Sequence, residues 1–381
     1  MGALIPAVLR RATRRWTTTR ALWQRLEELY GAHFRAEVGK VADRQLLSFH
    51  LDVVHGRFLP GHPDTVAAGL DFLEEVMRHP LTVGDRAFDA AVVEEEKALL
   101  QRRMEGVIND KGQYAAVRLL EAVAEGRRFG IRKWGRPEDL AAIDAQSLYA
   151  YYETVRQTRP LMVLAVGEVE PATLEAFLGR VGEDSGAAVA LDPLAPYEPW
   201  HREAEVIERQ AVSQGKLLQA YATGRTAAAP DFPALLMYAG VLGGFPHSKL
   251  FVNVREKHSM AYYAYARLDG ALGLMTVGAG IEFAHYETVR RLIREAVEAM
   301  AAGAVTEQEL AFTFEAYRNE IEAEHDAPDL LIGRQLEEAL VGGGWSGPAL
   351  IEALSRVRRE DIARVAEGVA LDTTYFLTRE A

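Results

Sequence analysis

The 381-residue sequence contains no cysteine. That absence removes disulfides, thiolate nucleophiles and cysteine-ligated zinc together, and it suits a reducing cytoplasm. No run of 18 apolar residues occurs, so no membrane-spanning helix is expected. A G-x-S-x-G nucleophile motif is missing too. Residues 342–348 are glycine-rich but lack the Lys-Ser/Thr of a phosphate loop, and read as a connection between helices. Positive charge is in short supply. Lys and Arg number 43 against 55 Asp and Glu, and the net charge of −12 argues against nucleic acid as the main ligand. The exception is the first 20 residues, with Arg10, Arg11, Arg14, Arg15 and Arg20 and no acid. Transit peptides share that bias, but no cleavage signature follows, and no apolar core of a secretory signal is present. The stretch reads as a solvated basic helix end.

What is present is a soluble, globular composition, 49% apolar and 26% charged, long enough for two domains. Leu22, Leu26 and Leu29 fall at helical spacing over 19–30. Residues 34–41 and 45–54 follow, the second read as a strand. Helices are expected at 64–78, 88–108, 113–125, 146–156 and 171–181, with a buried strand at 161–166. Residues 183–203 carry Gly186, Pro193, Pro196 and Pro199 without periodicity and read as an interdomain linker. Beyond them the pattern restarts: strands at 205–209 and 216–222, helices at 231–242 and 247–256, and a strand pair at 261–268 and 273–278. An apolar stripe follows at Val289, Leu292, Ile293, Ala296, Val297 and Met300. Thr306 and Glu309 then form a capping box, and further helices lead to a last strand at 373–378. Residues 143–164 align without a gap on 357–378, each a helix leading into an apolar strand. The expectation is an α+β chain of two homologous domains, 1–182 and 204–381, each an antiparallel-rich sheet with helices packed on one face.

The densest motif is residues 242–263, LGGFPHSKLFVNVREKHSMAYY. A glycine pair, a Ser-Lys-Leu-Phe helix start, V-R-E-K and an aromatic strand follow at fixed spacing. This segment resembles the second-domain signature of the pitrilysin/insulinase peptidase family, and the remaining elements follow the family order from end to end. Active members carry H-x-x-E-H on a helix, with two zinc-binding His, a water-activating Glu and a further distant Glu. Nothing of that form occurs in these 381 residues. The motif's slots fall on Ala3, Pro6 and Ala7, and the distant Glu slot on Arg103. The resemblance is therefore to a zinc-less, non-catalytic member: no metal site and no catalytic residue are expected. It also implies one or two strands before the zinc helix, so that either this sequence is truncated or its first domain lacks a strand.

In the family an Arg and a Tyr seven apart reach from the second domain toward the zinc site and hold substrate backbone or the developing oxyanion. Arg255 and Tyr262 occupy those positions. Ordinary roles remain open for both, an ion pair with Glu256 and a plain strand residue. Gly243 and Gly244 read as a glycine turn. His50, His55, His247 and His258 show no convergent spacing, and Glu94, Glu95 and Glu96 read as a solvated helix face.

The resemblance implies a non-catalytic subunit of a heterodimeric zinc metallopeptidase. It would be cytoplasmic, form half of the substrate chamber and donate Arg255 and Tyr262 to a zinc-bearing paralogue that holds the H-x-x-E-H motif. The ligand would be a peptide, with strand addition at 45–54 as one docking mode, and no nucleic acid or membrane is implied. A homodimer in isolation stays open. L-E-E-L-Y-G at 26–31 is similar to a bacterial group associated with elongation factor P modification. The alternative is a structural or peptide-binding scaffold with no role in hydrolysis.

Overall fold

The computed structural model describes residues 1–84, 86–183, 194, 196–198 and 203–380. Its helices, in chain order, are α1 (Ile5–Leu9), α2 (Thr19–Glu28), α3 (Thr65–Arg78), α4 (Ala90–Gly106), α5 (Lys111–Ala124), α6 (Ala145–Thr158), α7 (Pro171–Gly182), α8 (Phe232–Ala239), α9 (Tyr286–Ala301), α10 (Glu307–Ala323), α11 (Pro328–Val341), α12 (Gly347–Ser355) and α13 (Arg359–Ala366). The strands are β1 (His33–Val41), β2 (Arg44–Asp52), β3 (Ala204–Gln210), β4 (Gly215–Ala222), β5 (Ala261–Asp269), β6 (Leu274–Ile281) and β7 (Ala370–Arg379). None of the helices is long and apolar enough to cross a membrane.

The chain forms two compact units, Met1–Gly106 with Ile131–Asp192, and Val107–Gly130 with Pro193–Ala381. Both combine sheet and helix, giving the expected α+β class. Residues 107–130 lie inside the span 1–182 but belong to the second unit. Most of the expected linker 183–203 lies outside the described residues. Tyr197 within it is buried, donating from its hydroxyl to the Asp372 carboxylate at 2.8 Å and packing edge-on against Phe129.

In the first unit β1 and β2 pair antiparallel from His33↔Asp52 to Val41↔Arg44. Leu4, Ile5 and Leu9 of the first turns join Leu22, Leu26, Phe34, Phe72 and Leu148 in one core. Phe34 meets Phe72 edge-on at 5.1 Å. The basic start is no free helix end: Arg11 pairs with Glu95 and, at 2.9 Å, with Glu96. Glu96, expected on a solvated face, is only 3% exposed. A carboxylate so buried needs a cation beside it, which is what Arg11 supplies across 85 residues of sequence.

The strand expected at 161–166 does not form. Leu161, Met162 and Val166 are exposed. The aligned strand of the second unit, β7, is held by β3 on one side and β4 on the other. The sheet of the first unit has two described strands, β1 and β2. An apolar run without a ladder partner gains neither backbone hydrogen bonds nor burial from extending.

The second unit carries a five-stranded sheet in the order β3-β7-β4-β6-β5, antiparallel except for the parallel pair β3–β7. Alternation decides the faces. Leu217, Tyr221, Met275, Val277, Ala279, Ile281 and Phe376 point into a core shared with α8, α9, α12 and α13. The stripe of α9 is buried there at Val289, Leu292, Ile293, Ala296 and Met300. The opposite face receives α5. It is clamped through Glu208 of β3, whose carboxylate accepts from Tyr114 Oη at 2.6 Å, Gln210 Nε2 at 2.7 Å, Tyr375 Oη at 2.8 Å and Arg118 Nε at 3.0 Å. Burial by itself would raise this carboxyl. The four donors outweigh it and hold Glu208 at about 2, below its ordinary 4.5.

Two stability predictions follow from this packing. Glu208→Gln should cost about 2–3 kcal/mol at pH 7, because it leaves Arg118 and two tyrosine hydroxyls short of an acceptor. The folded carboxyl is depressed, so its contribution is complete above pH 4.5 and is lost as pH falls toward 2. The gap between wild type and variant in urea unfolding should therefore close across that window. Tyr238 is fully buried in α8 and its hydroxyl has no partner among the described residues. Tyr238→Phe should be neutral or stabilising by about 1 kcal/mol in the same assay.

Candidate functional site

The motif at 242–263 folds as two π-widened helical segments, Gly240–Gly244 and Phe251–Lys257, that lead into β5. π-winding is uncommon and concentrates at functional sites. The first segment is wedged between α10 and β5. A Cβ on Gly240 would lie 2.5 Å from Thr313 Cγ2, and one on Gly243 would lie 2.4 Å from the Ala266 amide nitrogen. The glycine pair is therefore no positive-φ turn. Gly243 is required for close approach, whereas a Cβ on Gly244 would meet nothing nearer than 3.5 Å.

The residues after the glycines are fastened to α10 at three heights. Phe245 packs edge-on against Tyr317 at 4.8 Å. His247 Nε2 lies 3.0 Å from Thr313 Oγ1. Lys249 Nζ donates to Glu309 Oε1 at 2.8 Å, and that carboxylate also caps α10 through Thr306. Burial and the Lys249 and Thr306 contacts act on Glu309 in opposite senses, and the contacts prevail to keep it below the ordinary carboxylate range. Burial also lowers His247, so its neutral form is favoured on this mount.

Arg255 sits on the second segment. Its guanidinium lies over the Phe251 ring at 4.5 Å. Glu256 Oε1 is 3.9 Å away, with both side chains well exposed, so that ion pair contributes little. Two residues beyond the segment Ser259 takes φ +51, a left-handed conformation that costs a residue with a Cβ. Ser259 N–H donates to Arg255 O and Met260 N–H to Val254 O, both at 3.0 Å.

Tyr262 follows on β5, an edge strand. Ala261 pairs with Ile281 and Tyr263 with Gly280, so Tyr262 is the extra residue of a β-bulge. Bulges re-aim side chains, and Tyr262 is 64% exposed. Its neighbours Tyr263 and Tyr265 instead lie along the sheet face, their rings within 3 Å of where Cβ atoms on Gly280 and Gly278 would stand. No hydrogen bond joins Arg255 to Tyr262. Both side chains are exposed, Arg255 on the π-widened segment and Tyr262 on the bulge.

The zinc positions do not fit the metal. Ala3, Pro6 and Ala7 lie in the opening turns, which pack on α4 and β1. None offers a ligand atom. Arg103 is exposed, its guanidinium 5.8 Å from the Trp134 ring. Among the described residues no group of three or more His, Asp or Glu is arranged to hold a metal ion. His50 Nε2 faces Glu37 across the hairpin at 3.5 Å, and His55 accepts from Arg57 N–H just past β2. His258 Nδ1 lies 2.5 Å from Asn253 O.

A family model described as the peptidase M16 inactive domain matches residues 142–316, a span that contains the whole motif. The probable inactive metalloprotease YmfF of Bacillus subtilis is 32% identical over 375 residues, covering 98% of this chain and 88% of the relative. The chain belongs to the M16 peptidase family. A Bacillus subtilis protein named for biosynthesis of the antilisterial bacteriocin subtilosin, AlbE, is 24% identical, with 87% and 81% covered. The crystal structure of a conserved protein from Enterococcus faecalis superposes with a TM-score of 0.90 at 28% identity, over all of this chain and 89% of that one. This M16 chain is a non-catalytic, peptidase-like protein, in line with the inactive domain that it matches and the inactive relative.

Two features of the site escape sequence reading, and a third was legible but missed. The ties from 245–249 to α10 link residues some 60 apart. The bulge at Tyr262 depends on the register of β6. Phe251 and Arg255 at i, i+4 did offer a readable signal, since residues four apart share a helix face.

Gly243→Ala should destabilise the second unit by about 1–3 kcal/mol, the usual cost of forced overpacking. Gly244→Ala should stay within about 0.5 kcal/mol. Chemical unfolding of the two variants side by side checks this contrast, and equal losses would contradict it.

Proposed function

We propose that this chain is the non-catalytic subunit of a heterodimeric zinc peptidase, working in the cytoplasm beside a paralogue that carries H-x-x-E-H and the zinc. It contributes half of a substrate chamber and donates Arg255 and Tyr262 to the partner's active site. There the guanidinium and the phenol hydroxyl would hydrogen-bond a peptide carbonyl as it becomes an oxyanion. The observation that carries this reading is the exposure of these two donors on braced backbone: Tyr262 on a bulge and Arg255 on a π-widened turn, neither spent on a strong contact within the chain. A residue kept only for stability would gain from burial or from a saturated partner, as Glu208 does. The AlbE relative, named for a bacteriocin's biosynthesis, favours a peptide as the molecule handled.

The test is co-purification with an H-x-x-E-H paralogue from the same genome, followed by zinc-dependent peptidase assays. The isolated chain should hydrolyse nothing. In the complex, Arg255→Ala and Tyr262→Phe should each lower kcat/KM by about 10²-fold, the scale of a lost oxyanion donor. Hydrolysis by the isolated wild-type chain would refute the proposal, and unchanged rates in both variant complexes would leave a peptide-binding scaffold instead.

A further inference from the structure

We propose that Phe251 is a positioning residue for Arg255, its ring being the platform that aims the guanidinium at a peptide backbone carbonyl. This rests on the reading of Arg255 as a donor to substrate. Phe251 opens the second π-widened segment, and Arg255 lies four residues on, over its ring face at 4.5 Å. The platform itself is anchored: Leu250 and Val254, on either side of it in sequence, are fully buried in the core of the second unit. The remaining polar groups of the segment are occupied elsewhere or distant. Lys257 Nζ donates to Asn253 Oδ1 at 3.2 Å, and Glu256 stands 3.9 Å from Arg255 at the limit of an ion pair.

The chemistry of the contact matters. A carboxylate would hold an arginine by taking its in-plane N–H groups, leaving fewer for substrate. A ring engages the guanidinium through its face. The five N–H donors at the edge stay free and fixed in direction. An exposed arginine on a plain helix would have neither property, because its long side chain samples many rotamers. Stacking on Phe251 therefore preorganises Arg255 without consuming the groups it needs.

The test uses the full chain, alone and in its complex with the zinc-bearing paralogue, with a quenched fluorescent peptide that the complex cleaves. Phe251→Leu keeps an apolar side chain but has no ring, and Phe251→Trp keeps a ring face. Phe251→Leu should lower kcat/KM about two- to fivefold, the range of an exposed cation–π contact, with an unchanged melting temperature. Phe251→Trp should restore wild-type turnover. On an Arg255→Ala background, Phe251→Leu should have no further effect. In the isolated chain, the Arg255 Nε–Hε resonance should be ring-shifted in the wild type and in Phe251→Trp, and lose that shift in Phe251→Leu. An unshifted wild-type resonance, or the same loss of rate on both backgrounds, overturns the role of Phe251. A loss with Arg255→Ala but none with Phe251→Leu removes Phe251 alone. No loss with Arg255→Ala removes the donor reading, and this inference with it.

Discussion

The backbone of Gly243 lies so close to the Ala266 amide that no methyl group fits between them. That approach fixes where the motif passes β5. It seats the first π-widened segment against β5, while Gly240 allows the same segment to touch Thr313 and Tyr317 of α10. From there Phe245, His247 and Lys249 climb α10 in register. The second segment then delivers Arg255, and the strand that received Gly243 delivers Tyr262. One strand thus serves as wall for the glycine and as carrier for the tyrosine, so the two donors are referenced to a common piece of backbone.

The fold was legible wherever periodicity and caps agreed. The α9 stripe and the Thr306–Glu309 capping box appear as read. The strand pair read at 261–268 and 273–278 matches β5 and β6 to within a few residues. The failures share one cause, which is that a residue's environment comes from elements distant in sequence. Residues 161–166 are as apolar as β7, yet they lack the neighbours that make β7 a strand. Glu96 sits in a run of three acids that looks solvated, yet Arg11 draws it inside. The glycine pair looked like a turn because glycine more often answers a need for φ than for space. The positions of Arg255 and Tyr262 came from the motif, but the bulge and the ring that orient them came from register and packing.

The opening turns of the first unit are built into its core. Ala3, Pro6 and Ala7, the positions expected from the resemblance to correspond to the zinc motif, lie in turns that bury Leu4, Ile5 and Leu9 in the core. Apolar burial of this kind is worth roughly 1.5–3 kcal/mol for each large side chain. The Arg11–Glu96 pair ties the same region to α4. The cation that this packing needs, beside buried Glu96, is the Arg11 guanidinium. Arg255 and Tyr262 are exposed, in contrast to the saturated cluster at Glu208.

The central claim is that Tyr262 faces another chain's active site. It is tested most directly by placing a photo-crosslinking benzoylphenylalanine at position 262 and irradiating cells that express the zinc-bearing paralogue. The account predicts a crosslink to the paralogue that maps by mass spectrometry to peptides around its H-x-x-E-H helix. Crosslinks confined to this chain itself, in cells where the paralogue is present, would contradict it.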